Sequence, residues 1–183
     1  MVSKSTRERL KKILIEQSLL KGDFLLSSGQ RSSFYLDVRR TSLHPEGAAL
    51  CAELFLEELA DLELSSVGGP VLGAAPLVGS LASESFRRGR PLSTFLVRRE
   101  PKGHGTAKLL EGHFTPGSPV ALIEDVVTTG SSLLRALAVV RGEGATVRRV
   151  VSVVDREQGG TEAFAEHEVE YRFLFKASEL MEG

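Results

Sequence analysis

The chain has 183 residues, 42% of them hydrophobic, which suits one globular domain with a full core. Lys and Arg number 23 against 24 acids, for a net charge of −1, so nothing draws the chain as a whole toward nucleic acid and any anion site must be local. The single cysteine, Cys51, excludes an intrachain disulfide and fits a reducing cytoplasm, while the N-terminus lacks a signal-peptide profile and no apolar run reaches membrane-spanning length.

In chain order, residues 6–20 place Leu10, Ile13, Leu14, Gln17 and Leu20 on one face, which predicts an amphipathic helix. Residues 22–39 read as extended and turn-rich. A second helix is expected over 46–60, where Leu50, Leu54, Leu56 and Leu59 alternate with acids; Cys51 falls in this pattern as a small core residue rather than a nucleophile. A short strand, 65–69, ends in Gly-Gly-Pro. A helix over 75–88 and a strand over 92–98 follow, then a polar Gly-rich loop over 99–112. Val120–Asp125 is a strand, 131–142 its helix, and 147–155 a β-branched run suited to a strand buried on both faces. A short helix over 160–167 and a strand over 169–175 complete the chain. Strands alternating with helices imply a doubly wound α/β fold with a parallel sheet, whose ligands bind at the carboxyl ends of the strands.

The most informative segment runs from Leu122 to Ser132. A buried strand presents Glu124 and Asp125, passes through Val126, Val127, Thr128, Thr129 and Gly130, and enters a helix at Ser131 and Ser132. Free amides at a helix N-terminus, joined by four hydroxyls, make an anion seat. Two carboxylates beside that seat would repel a phosphate unless they meet sugar hydroxyls or help to hold a cation. The pattern therefore reads as a ribose 5-phosphate site. It lacks the Gly-Lys-Ser/Thr ending of a Walker loop and the Gly-x-Gly-x-x-Gly spacing of a dinucleotide fingerprint.

Other loops at the same sheet edge carry chemistry. Arg98, Arg99, Lys102 and His104 lie within seven residues, and Gly103 and Gly105 flank the histidine, a design suited to a lid that brings positive charge. Arg156, in Val154-Asp155-Arg156-Glu157-Gln158-Gly159-Gly160, sits where a strand ends and offers a carboxylate two parallel hydrogen bonds. Its plain alternative is a surface arginine paired with Asp155 or Glu157. Tyr35 and Leu36 offer flat and apolar surface for a pyrimidine, though the segment alone reads equally as an ordinary hairpin. No catalytic triad is evident.

Together these segments resemble the orotate phosphoribosyltransferases, a branch of the type I phosphoribosyltransferases. The Glu124–Ser132 stretch resembles the binding motif for phosphoribosyl diphosphate (PRPP). The 98–105 loop is similar to the family's lid, with Arg99 where lysine is usual. Residues 22–39 resemble its hood, with Ser27 where lysine is frequent. Residues 152–160 resemble its base-recognition segment, and 68–76 its pyrophosphate loop, with Gly73 where many members carry lysine.

The resemblance implies the type I phosphoribosyltransferase fold: a central parallel sheet flanked by helices, with a hood over about 1–40 and a core over about 41–183. It implies transfer of ribose 5-phosphate from PRPP to orotate, giving orotidine 5′-monophosphate and pyrophosphate. Mg²⁺ is the implied cofactor, bound through PRPP and water rather than by protein side chains. PRPP would meet Arg98, Arg99, Lys102, His104 and residues 124–132; orotate would meet Tyr35, Leu36, Thr128 and Arg156. Lys102, His104 and Asp125 would be catalytic. The implied assembly is a cytoplasmic homodimer whose lid, 98–105, acts on the partner subunit, with no nucleic-acid or membrane partner. A non-proline cis peptide is expected at Val71–Leu72. The competing readings are a purine-base phosphoribosyltransferase, which needs no arginine for a carboxylate, and a PRPP-sensing regulator of the same fold.

Overall fold

The structure, a computed structural model, describes residues 4–25, 31–100 and 109–182. Helix α1 (Lys4–Ile13) passes into a π-turn at Leu14–Ser18, and strand β1 (Leu19–Leu25) pairs antiparallel with β2 (Arg31–Leu36). The helix expected over 6–20 thus stops short. Leu19 and Leu20 leave the helical stripe to pair with Leu36 and Tyr35, and the ladder hydrogen bonds gained there replace another helical turn.

Helices α2 (Arg39–Ser42) and α3 (Pro45–Glu58) lead into β3 (Ser66–Pro70), α4 (Ala74–Arg87), β4 (Ser93–Val97), β5 (Leu110–Gly112), β6 (Pro119–Val127), α5 (Ser131–Gly142), β7 (Thr146–Asp155), α6 (Gly160–Glu166), β8 (Tyr171–Lys176) and α7 (Ala177–Met181). His44 caps α3, accepting from the Gly47 amide, and Pro45 fills the first helical position, where its missing N–H costs nothing.

The main sheet has the order β5-β4-β3-β6-β7-β8, parallel throughout except for the antiparallel edge strand β5. The expected doubly wound α/β fold is therefore present. Strand β7 is buried from Val150 to Asp155, as its near-continuous β-branched run leads one to expect. Apolar side chains fill both faces of the sheet. One cluster joins Leu10, Leu14, Leu36 and Val38 to α3, α4 and β8; the other packs α5 against Val120, Leu122 and Phe164. Cys51 is fully buried within the first cluster and burial pushes its thiol up to about 12, so it serves packing and not nucleophilic chemistry.

The order reverses at β3 and β6: the chain turns outward to β4 on one side and to β7 on the other. Their carboxyl ends face a crevice there, the place where open parallel sheets receive ligands.

Candidate active site

A cleft of about 380 Å³ opens at that edge. Tyr35, Leu36, Asp37, Val38 and Arg39 form the hood side; Val71, Leu72 and Gly73 form a second wall; Glu124, Asp125, Val126 and Ser132 form the floor. A smaller cup of about 50 Å³ continues from it, lined by Glu124, Val126, Val127, Thr128, Gly130, Ser131, Ser132 and Leu133.

The cup follows from local backbone geometry. Gly130 adopts a left-handed conformation, φ 79° and ψ −2°, which turns the chain out of β6 and starts α5. A side chain there would meet the Phe164 ring at 3.1 Å as well as the strained φ. The first helical hydrogen bond runs from the Leu134 amide to the Gly130 carbonyl, at 2.9 Å. The amides of Ser131, Ser132 and Leu133 therefore have no intrahelical acceptor and stand at the positive end of a 12-residue helix. Thr128, Ser131 and Ser132 line the cup beside these amides, and Thr129 is exposed and lies outside its lining.

The acids sit where cup and cleft join. Glu124 is 5% exposed, held in the ladder between β6 and β7. Its Oε1 accepts the Asp125 amide at 3.3 Å, and Asp125 Oδ1 accepts the Val126 amide at 2.8 Å. Burial holds the Glu124 carboxyl well above the usual carboxylate range, and the neighbouring Asp125 charge pushes the same way. Burial also raises Asp125, opposed by hydrogen bonds from Glu124 and the Val126 amide and by the charge of Arg39. The pair holds a proton more tightly than two free carboxylates would.

Gly73 closes the second wall. A Cβ there would lie 2.3 Å from Asp125 Oδ1 and 2.4 Å from Glu124 Oε1, so only a glycine lets this loop approach the acids. The Val71–Leu72 peptide is cis, as expected.

Arg156 follows β7, its amide donating to the Val127 carbonyl at 2.8 Å. Its guanidinium lies over the Phe34 ring, 5.3 Å from the centroid, and its Nε is buried with no hydrogen-bond partner among the described residues. Neither acid considered as a plain partner engages it. Asp155 accepts from the Glu157 amide at 2.8 Å and from Thr161 Oγ1 at 3.3 Å, and Glu157 accepts from the Ser178 amide at 3.1 Å. A buried donor without an acceptor costs free energy, and an anionic ligand group would remove that cost.

The floor and the hood bring together Tyr35, Leu36, Glu124, Asp125, Val126 and Ser132, while Val127, Thr128, Gly130 and Ser131 line the adjoining cup. Leu36 is 6% exposed and packs mainly into the core, and Tyr35 carries the open aromatic surface. Arg98 and Arg99 line a neighbouring hollow of about 220 Å³ that shares Val71 with the cleft and Ser132 with both cavities; Arg98 Nη1 donates to Glu111 Oε1 at 3.1 Å. Lys102 and His104 lie outside the described residues.

Three residues enter the site without having been singled out from sequence. Phe34 backs Arg156, Arg39 faces the acids, and Arg135 joins Arg98 and Arg99. Phe34 was legible as the strand neighbour of Tyr35. Arg39 stands beside Arg40 at a helix start and Arg135 within an apolar helical stretch, with no local signal to mark either.

Among known proteins, the orotate phosphoribosyltransferase of Rhodopseudomonas palustris (strain BisB5) is 42% identical over 185 residues, covering 99% of each chain. That of Aquifex aeolicus (strain VF5) is 40% identical over 178 residues, covering 96% of this chain and 97% of the relative. A crystal structure of Mycobacterium tuberculosis orotate phosphoribosyltransferase in complex with PRPP superposes with a TM-score of 0.82 at 35% identity, covering 96% of this chain and 99% of the other. No family model matches the chain.

Proposed function

This chain belongs to the orotate phosphoribosyltransferase family, and from that premise we propose how its cleft performs the reaction. The enzyme transfers ribose 5-phosphate from PRPP to orotate, giving orotidine 5′-monophosphate and pyrophosphate for pyrimidine biosynthesis. One observation carries the assignment of the site: a buried acid pair stands at the junction between a cleft and a cup of helix-end amides, Glu124 lining both.

In this reading the amides and hydroxyls of Thr128–Ser132 grip the 5′-phosphate, and Glu124 and Asp125 accept from the ribose hydroxyls. Fixing both ends of the sugar sets C1 in the cleft between floor and hood. Orotate lies under the hood against Tyr35, near Thr128, and its carboxylate meets the buried Nε of Arg156. Holding both reactants in place removes the entropic cost of their encounter. As the C1–O bond to pyrophosphate lengthens, C1 becomes cation-like and negative charge gathers on the leaving group. Arg98, Arg99, Lys102 and His104 neutralise that charge from a lid that closes on the partner subunit of a homodimer and excludes water.

Mg²⁺, arriving with PRPP beside Glu124 and Asp125, would add further neutralisation of the leaving group. The donor set suits an ion that arrives on its ligand: two carboxylates on the cleft floor, and no cluster of three or more His, Cys, Asp or Glu among the described residues. The reading takes residues 1–183 as one domain, with hood over about 1–40 and core over about 41–183. Its support is the shared packing of Leu10, Leu14, Leu36 and Val38 with the core helices. A cytoplasmic location completes the reading; no helix among the described residues is long and apolar enough to cross a membrane.

Ultraviolet monitoring of orotate consumption with PRPP and Mg²⁺ tests the proposal, with adenine, hypoxanthine and uracil as competing acceptors. Orotate is the expected acceptor. Turnover of a purine instead would refute the role given to Arg156. A retardation assay with RNA and DNA should show no binding; retention would favour a regulator.

A further inference from the structure

Apart from the lid cations, the cleft's own described lining carries little positive charge for a diphosphate. Its described lining contains three carboxylates, Asp37, Glu124 and Asp125, and a single cation, Arg39. The wall formed by Val71, Leu72 and Gly73 offers no charge. It also has no room for one at Gly73, because a Cβ there would strike both acids. A ligand with a diphosphate on C1 needs positive charge on the side of the acids away from the phosphate cup. Arg39 lines the cleft and is absent from the lining of the cup. It therefore stands on the cleft side of the acids and not at the 5′-phosphate end.

Its hydrogen bonds leave it competent for that role. Arg39 Nε donates to Asp37 Oδ1 at 2.8 Å and Nη2 to Asp37 Oδ2 at 3.3 Å. Asp37 thus fixes the plane of the guanidinium, and these bonds use two of its N–H donors. The side chain is 44% exposed, at the start of α2 where the hood joins the core. Its charge acts on Asp125 across the cleft.

We propose that Arg39 is a PRPP-positioning residue of this enzyme: oriented by Asp37, it meets the diphosphate of PRPP from the hood side, opposite the uncharged wall at Val71–Gly73. The proposal rests on the reading of the cleft given above and adds a contact that the phosphate cup, the acid pair and the lid do not provide.

The test is direct binding by calorimetry, with steady-state kinetics alongside, on Arg39→Ala, Arg39→Lys and Asp37→Asn. Arg39→Ala should weaken PRPP binding by about ten- to a hundredfold, the loss expected of one charge-assisted pair. It should leave ribose 5-phosphate, which lacks the diphosphate, bound within about twofold of the wild type, and the KM for orotate likewise. Arg39→Lys should recover part of the loss, because charge returns without the planar fork. Asp37→Asn separates positioning of ligand from a mere tie within the hood: it should cost far less PRPP affinity than Arg39→Ala. Unchanged PRPP affinity in Arg39→Ala would overturn the proposal. So would an equal loss for ribose 5-phosphate, or equal losses in Arg39→Ala and Asp37→Asn. A wild-type protein that binds PRPP without converting orotate would instead count against the functional reading, and the binding arm would still decide the role of Arg39.

Discussion

Replacing Arg156 with alanine tests the proposal that this residue recognises the base. Arg156 Nε is buried without an acceptor among the described residues, and the guanidinium lies 5.3 Å from the centroid of Phe34. A desolvated donor with no partner costs about 1–3 kcal/mol, while an arginine over an aromatic ring at a partly exposed site returns about 0.5–1 kcal/mol. Truncation should therefore leave stability unchanged or improve it by up to about 2 kcal/mol. In a domain of this size each kcal/mol moves the melting temperature by roughly 2–4 °C. With orotate bound the sign reverses, because a charge-assisted hydrogen bond to the carboxylate is worth about 1.5–3 kcal/mol. That loss corresponds to a rise of about ten- to 150-fold in the KM for orotate. The assay is initial rate against orotate at saturating PRPP, paired with a thermal melt of the free protein. A KM for orotate within about twofold of the wild type would refute the reasoning. A melting temperature lowered by more than about 4 °C would also do so, since it would show the arginine serving the fold.

Glu124→Gln removes a buried acid whose pKa is raised above its ordinary value of 4.5. A raised carboxyl adds full stability below its unfolded pKa and loses it as pH rises through the folded one. Melts of the variant should therefore show a gain in stability at neutral pH and a flatter pH dependence above about 4.5, while PRPP affinity falls; a variant that is less stable at neutral pH would contradict the burial argument. Gly73→Ala should displace both carboxylates and lower kcat/KM for PRPP by about a hundredfold, the cost of an ångström-scale misplacement, with kinetics close to wild type as the contrary result. Lys102→Ala should lower turnover strongly while ribose 5-phosphate still binds, measured by rate and calorimetry. Mixing that variant with Asp125→Asn should restore part of the activity through hybrid sites, and no recovery despite confirmed subunit exchange would count against a lid shared between subunits.

Most of the fold was legible in the sequence because its signals were long. The β-branched run of β7 and the helical stripes of α3, α4 and α5 each span several residues in one period. The features that escaped were short or depended on distant partners. Strand β5 is three residues, Leu110–Gly112, in an otherwise polar loop, and exists because it pairs with β4. The end of α1 was hidden because Leu14 continues the helical stripe while Leu19 and Leu20 are claimed by the hairpin. The same distinction governs the site. Glu124 through Ser132 are contiguous, so their order alone described an anion seat with acids beside it. Arg39 shares the cleft with the acids although it is far from them in the chain, a relation that no local pattern encodes.

The most direct measurement is a crystal structure of the protein soaked with PRPP. The account predicts the 5′-phosphate against the amides of Ser131, Ser132 and Leu133, and the ribose hydroxyls on Glu124 and Asp125. A phosphate bound away from the turn at Gly130, or a ribose out of reach of both acids, would contradict it.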